Sequence, residues 1–202
     1  MILALLACRP DPGEPNYPDP GELTIDTNDE DFLRGDDPYE EGEDRLSIGI
    51  FYEGPVSEWV DVDNVENFFY IYEDSFSVTS SDDRVEGYTS DVLEVSKDTW
   101  WGGGIHWEGS PRDLSAYNTL NVSLKSDALE GLELGMKGGD EAKVLVSDYG
   151  YAADGEWHHL DIPLADFSGV VLTGVEIPLI IVAEGTPSGT TVLFDNLYLD
   201  VQ

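Results

Sequence analysis

Apolar and polar residues alternate in short runs over most of this chain. Leu120, Val122 and Leu124 interleave with Asn121, Ser123 and Lys125, and Leu132, Leu134 and Met136 interleave with Glu133, Gly135 and Lys137. A period of two sends successive side chains to opposite faces of an extended chain, so each run predicts a strand with one core face and one face free for solvent or ligand. Runs of this texture cover Ser47–Glu53, Glu58–Val62, Phe68–Tyr72, Ser75–Ser80, Val92–Val95, Gly102–Trp107, Thr119–Ser126, Leu132–Met136, Ala142–Ser147, Trp157–Ile162, Gly174–Val182 and Thr191–Val201. Gly, Asp and Ser turns separate them, and no helical period lasts beyond two turns. The pattern predicts an all-β chain folded as an antiparallel sandwich or barrel. Its longest apolar run, from Ile177 to Ala183, belongs near the middle of a sheet, with Pro178 tolerated close to the strand's start.

Before Ser47 the texture is different. From Arg9 to Leu46 the chain is rich in Pro, Gly and acids and poor in apolar residues. Such a segment cannot bury enough surface to offset its ordering entropy, and it reads as a self-repelling spacer over 9–46 ahead of a folded domain over 47–202. At the start, Leu5-Leu6-Ala7-Cys8 resembles the lipobox of bacterial lipoproteins, in which the cysteine becomes the lipidated first residue. The match covers only the end of such a signal: the apolar run is short and no basic stretch precedes it. The resemblance implies a remnant signal over 1–8, a lipid anchor on Cys8 and a place in the bacterial cell envelope, either periplasmic or surface-exposed. No segment reaches the roughly 18 apolar residues of a membrane span, so attachment would be through lipid.

Charge narrows the partners. The 202 residues carry 43 Asp and Glu against 9 Lys and Arg, a formal net charge of −34 at pH 7. Polyanion binding relies on clustered Lys and Arg, so nucleic acid and anionic headgroups are excluded as partners, which leaves neutral ligands and cations. With one cysteine, no disulfide can form within the chain.

Three of the five tryptophans fall in Trp100-Trp101-Gly102-Gly103-Gly104-Ile105-His106-Trp107. On a strand, Trp100, Gly102, Gly104 and His106 share one face and Trp101, Gly103, Ile105 and Trp107 the other. Rings beside glycine suit the stacking of a sugar ring. They equally suit a core packed against a closely approached backbone.

From Phe68 onward four phrases occur in order: Tyr72-Glu73-Asp74-Ser75-Phe76, Asp113-Leu114-Ser115-Ala116-Tyr117-Asn118-Thr119-Leu120, Asp154-Gly155-Glu156-Trp157-His158-His159-Leu160-Asp161-Ile162-Pro163, and Phe194-Asp195-Asn196-Leu197-Tyr198-Leu199. This series resembles the galactose-binding-like jelly rolls that occur as carbohydrate-binding modules beside bacterial glycanases. The resemblance implies two antiparallel sheets, a structural calcium, and a polysaccharide site on the concave sheet or its rim loops, with a glycanase as a possible partner. It implies calcium ligands at Asp195 in the last strand and at Glu73 or Asp74 in the first, and it makes Trp157 a packing residue. The segment from Ser47 to Asp63 precedes the matching part, and we expect it to add a hairpin.

Candidates for stacking are Trp100, Trp101, Trp107, Tyr149 and Tyr151, and candidates for hydroxyl recognition are Lys137 and Asp148. Catalysis finds little support. Acids are too abundant for any pair to carry weight as a glycosidase dyad, and there is no nucleophile elbow and no cysteine within 47–202. The adjacent His158 and His159 diverge on a strand, a poor zinc geometry. The leading expectation is non-catalytic capture of a neutral polysaccharide. A glycoside hydrolase or lyase and a protein-adhesion domain anchored on its tryptophans are the rivals.

Overall fold

The structure, a computed structural model, describes residues 45–48, 58–60, 67–85, 87, 89–107 and 111–200. Among them twelve strands form two facing sheets: β1 (Arg45–Ile48), β2 (Glu58–Val60), β3 (Asn67–Ile71), β4 (Phe76–Ser81), β5 (Ser90–Val95), β6 (Trp100–Trp107), β7 (Thr119–Lys125), β8 (Glu133–Gly138), β9 (Asp140–Leu145), β10 (His158–Pro163), β11 (Ile177–Glu184) and β12 (Thr191–Asp200). Each falls within a few residues of a predicted run. Cys8 and all of the acidic spacer before Arg45 lie outside the described residues.

One sheet has the order β3-β6-β11-β8-β9, with every pair antiparallel. The apolar run at Ile177 forms its central strand, and the register slips between Ile177 and Ile180, around Pro178. In the other sheet the ten-residue β12 pairs with β7 along one edge. Its second edge is shared: β5 takes the first half and β1 the second. β10, β4 and β2 complete that sheet.

Between the sheets lies one continuous core. Leu120, Val122 and Leu124 from β7, Leu134 and Met136 from β8, Leu160 and Ile162 from β10, Leu179 and Ile181 from β11, and Val192, Phe194, Leu197 and Leu199 from β12 are all fully buried in it. Each large aliphatic side chain buried in this way contributes about 1.5–3 kcal/mol.

Three expectations need correction. β1 and β2 are no hairpin, because they run parallel, Ser47 opposite Trp59. β1 docks where β5 has ended, leaving the C-terminal half of β12 with an unpaired edge to complete. Arg45 and Leu46 join that ladder opposite Asp200 and Leu199, so strand structure begins two residues inside the segment read as spacer. The outward face of β7 is not open: Asn121 and Ser123 are buried, Ser123 sharing a hydrogen bond with His159 Nδ1 at 3.1 Å.

Candidate functional site

The two faces of β6 have different fates. Trp101, Ile105 and Trp107 point inward and are wholly buried. Trp101 packs edge-on against Phe76, with centroids 5.3 Å apart, and its Nε1 donates to Thr186 Oγ1 at 3.1 Å. The Arg112 guanidinium sits 5.2 Å from the centre of the Trp107 ring. Gly103 also faces the core, where a β-carbon would stand 2.9 Å from the Phe76 ring. Trp101 and Trp107 are therefore core residues, unavailable to a ligand. Their rings fill the space beside an inward glycine, as the packing reading of this motif requires.

Trp100, Gly102, Gly104 and His106 look outward. Glycine is needed at both positions because carbonyls of β11 and the protein's own rings crowd the backbone there: a β-carbon on Gly102 would meet the Ile181 carbonyl and Trp100 Cζ2, both at 2.9 Å, and one on Gly104 would run into the Leu179 carbonyl and meet the Tyr70 hydroxyl at 3.0 Å. The space beside the glycines is thus occupied by the protein's own rings and is not empty floor.

Register assigns the neighbours on this face. Phe68 and Tyr70 of β3 stand opposite His106 and Gly104. On the other side of β6, Ile180 and Val182 of β11 stand opposite Gly104 and Gly102, and Gly135 and Glu133 of β8 follow them. Lys143 and Leu145 of β9 close the row. The result is a band across the strands: aromatic at β3 and β6, aliphatic at β11, ionic at β8 and β9. Ring contacts run from His106 to Phe68 (5.4 Å), Phe68 to Tyr70 (6.4 Å), Tyr70 to Tyr72 (4.9 Å) and Tyr72 to Trp100 (5.6 Å). Ile177, Ile180 and Val182 form a small second cluster with Tyr70 packed against it.

Among the described residues four large apolar side chains are exposed, and three of them, Tyr72 (47 %), Trp100 (37 %) and Leu145 (36 %), lie on this face. The exposed rings of Tyr72 and Trp100 meet at 48°. They make an angled platform.

The polar groups of the face come in pairs. Lys137 Nζ donates to Glu176 Oε2 at 2.7 Å, and Lys143 is paired with Glu141. The hydrogen bond to Glu176 and its charge hold Lys137 above the ordinary lysine range, with smaller contributions from Glu141 and the Tyr72 phenol. The same bond and the Lys137 charge hold Glu176 below the usual carboxylate range. Tyr70 is pushed well above a free phenol by burial first, then by Tyr72 and Glu141. A glycosidic general acid needs a raised pKa, the opposite of what Glu176 has.

Other predicted residues lie elsewhere. Tyr149 and Asp148 occupy the turn that leaves β9, where the Tyr149 hydroxyl donates to Asp166 at 2.8 Å and burial helps push its pKa up to about 12. Tyr151 is buried, donating to the Leu129 carbonyl at 2.9 Å, and cannot stack on a ligand. Trp157, read as a packing residue, is only half-buried, with its Nε1 donating to Asp83 at 3.0 Å.

The acids expected to hold calcium do not converge. Glu73 and Asp74 precede the start of β4, whereas Asp195 follows Phe194, which pairs with Asp91 near the far end of the β4–β5 ladder. Five strand rises of about 3.3 Å separate those ends by roughly 17 Å, too far for ligands that must each approach an ion to about 2.4 Å. Asp195 is buried and accepts from the Val85 and Asn196 amides at 2.6 and 2.8 Å, while Glu73 pairs with Lys97 at 3.1 Å. Among the described residues no three His, Cys, Asp or Glu side chains are grouped to hold a metal. Among the described residues, Glu73, Asp74 and Asp195 therefore do not form one calcium site.

Phe68, Tyr70 and Tyr72, the aromatic side of the band, were not among the expected site residues. Their spacing of two, along β3 and into the residue that follows it, is the signal that marks them as one face.

Known proteins resemble this architecture. A family 30 carbohydrate-binding module from a cellulosomal cellulase of Clostridium thermocellum superposes with a TM-score of 0.55 at 19 % identity, over 68 % of this chain and 92 % of that one. A second family 30 module gives 0.53 at 19 % identity, over 66 % and 77 %. A family 11 module from another Clostridium thermocellum cellulosomal cellulase gives 0.51 at 16 % identity, over 69 % and 89 %. At these identities the likeness is one of fold. A search of curated protein sequences found no match. The sequence profile described as Carbohydrate binding domain 30 matches residues 47–200, nearly the whole of the two sheets, so the chain belongs to that family, a family of non-catalytic binding modules.

Proposed function

We infer that the outer face of the five-stranded sheet captures single chains of a neutral polysaccharide, which run across the strands from Tyr72 and Trp100 toward Leu145. The observation that carries this is that three of the four exposed large apolar side chains among the described residues share one band that also holds paired carboxylates and ammonium groups. Rings take the C–H faces of sugars, and the ion pairs offer donors and acceptors to hydroxyls. Two exposed rings inclined at 48° cannot both lie on a flat crystalline surface, so the platform suits a free chain whose successive sugars differ in orientation. Glu133, Glu141, Glu176 and Glu184 outnumber Lys137 and Lys143 on this side of a chain of net charge −34, which disfavours uronate polymers.

Two of the similar modules come from cellulases, so β-glucans head the panel for testing. Affinity electrophoresis through β-glucan, xylan, mannan, galactan and polygalacturonate should show retardation by at least one neutral polymer and none by polygalacturonate. Unchanged mobility in every neutral gel overturns the reading. Its cellular side, a lipidated Cys8 holding the domain at a bacterial envelope beside a glycanase, is supported by the Leu5–Cys8 phrase and the acidic spacer. Metabolic labelling with a fatty acid, abolished in Cys8→Ser, tests the anchor.

A further inference from the structure

Two consecutive non-glycine residues, Glu73 and Asp74, have left-handed backbones, with φ of 49° and 51°. A β-carbon disfavours that region, so the surroundings must impose it. Neither side chain is buried, and the Glu73–Lys97 pair is too exposed to impose much. The constraint comes from what flanks them. On one side the Tyr72 ring is set between Tyr70 and Trp100. On the other, Ser75 is almost fully buried and tied three ways: its hydroxyl donates to the Gly102 carbonyl at 3.2 Å and accepts from the Gly102 amide at 3.1 Å, and its own carbonyl accepts from Ser96 at 2.8 Å. Within the turn, the Ser75 amide donates back to the Tyr72 carbonyl at 2.9 Å. Gly102 is also the residue over which the Trp100 ring lies. One buried hydroxyl therefore joins the turn carrying Tyr72 to the backbone that seats Trp100.

We propose that the turn Tyr72–Ser75 is the positioning device of the sugar platform, with Ser75 as the positioning residue that fixes the Tyr72 ring against Trp100. Tyr72 continues the line of β3 beside β6, the left-handed pair turns the chain away toward β4 directly after it, and Ser75 ties the exit of that turn to Gly102. This rests on the reading of Tyr72 and Trp100 as the stacking residues, but it makes a separate claim about geometry that holds without ligand. It also gives Glu73 and Asp74 a conformational role in place of the metal-binding role expected from sequence.

The test uses the full chain labelled with 5-fluorotryptophan, the Trp100 resonance being the one lost in Trp100→Phe. Ser75→Ala should move or broaden that resonance without ligand and weaken binding of the retained neutral polysaccharide about tenfold, the scale of losing one aromatic contact. Ser75→Thr, which keeps the hydroxyl, should restore both. Should Ser75→Ala fail to fold, Asp74→Pro provides the same test at an exposed site by forbidding positive φ, and Asp74→Gly, which accepts it, should retain wild-type binding and an unshifted resonance. An unmoved Trp100 resonance with wild-type affinity in Ser75→Ala and Asp74→Pro overturns the proposal. A moved resonance in a protein whose wild type binds no polysaccharide upholds the positioning and overturns the binding reading instead.

Discussion

Replacing Trp101 with alanine should cost stability and leave binding intact, whereas replacing its neighbour Trp100 should do the reverse. Trp101 is wholly buried, packs edge-on against Phe76 and satisfies the hydroxyl of buried Thr186. Deleting such a ring costs about 3–5 kcal/mol, and the stranded hydroxyl adds about 1 kcal/mol. At roughly 2–4 °C per kcal/mol for a domain of this size, the melting temperature should fall by roughly 10–20 °C. Trp100 rests on Gly102 and keeps 37 % of its surface exposed, so its truncation should cost only about 1–2 kcal/mol of stability. The same truncation removes half of the angled platform and should weaken polysaccharide binding at least about tenfold. Thermal melts followed by circular dichroism, with affinity electrophoresis well below the melting range, separate the two effects. A Trp101→Ala protein that melts within about 3 °C of wild type and no longer binds would refute the assignment of the two faces of β6, since full burial predicts several times that shift.

Gly104→Ala should destabilise by about 1–3 kcal/mol, read as a lower urea midpoint, because the new methyl meets the Leu179 carbonyl and the Tyr70 hydroxyl where backbone cannot yield. The Lys137–Glu176 contribution should be complete above the ordinary glutamate value of 4.5, disappear as pH falls through the lowered Glu176 value, and on the alkaline side fade only above the ordinary lysine value of 10.5. Melting temperature against pH should therefore show a shallower acid limb in Glu176→Gln than in wild type. Raising salt from 10 to 150 mM should raise the melting temperature, because a net charge of −34 destabilises the compact state by self-repulsion; a fall would show that attractive ion pairs dominate.

Strand positions were legible because a two-residue period is a direct consequence of the pleat, and it survives even in the glycine-rich β6. Which face of β6 points inward was not. Both faces carry tryptophan and glycine, so alternation groups Trp100 with Gly102 but gives no sign to the grouping; Phe76 behind Gly103 and Tyr70 in front of Gly104 decide it, and both come from other strands. The separation of Glu73 and Asp74 from Asp195 was not legible for a related reason. A phrase order places residues in strands without saying at which end of a ladder they fall, and here the ends are opposite. Tyr72 escaped notice as a platform residue because the acids after it drew the metal reading, while its ring partner Trp100 is distant in sequence. Trp157 fell short of the core because its indole N–H is drawn to Asp83, which Lys125 also holds at 2.8 Å.

Capture of polysaccharide on the outer face of the five-stranded sheet is tested most directly by amide chemical-shift mapping of the isotopically labelled full chain during titration with a soluble neutral β-glucan. The perturbed amides should cluster at Tyr72, Trp100, Gly102, Gly104, Glu133, Leu145 and Val182. Saturable shifts confined to the β7 and β10 strands or to the Val146–Tyr149 turn would contradict that location and move the site to the opposite sheet or the rim.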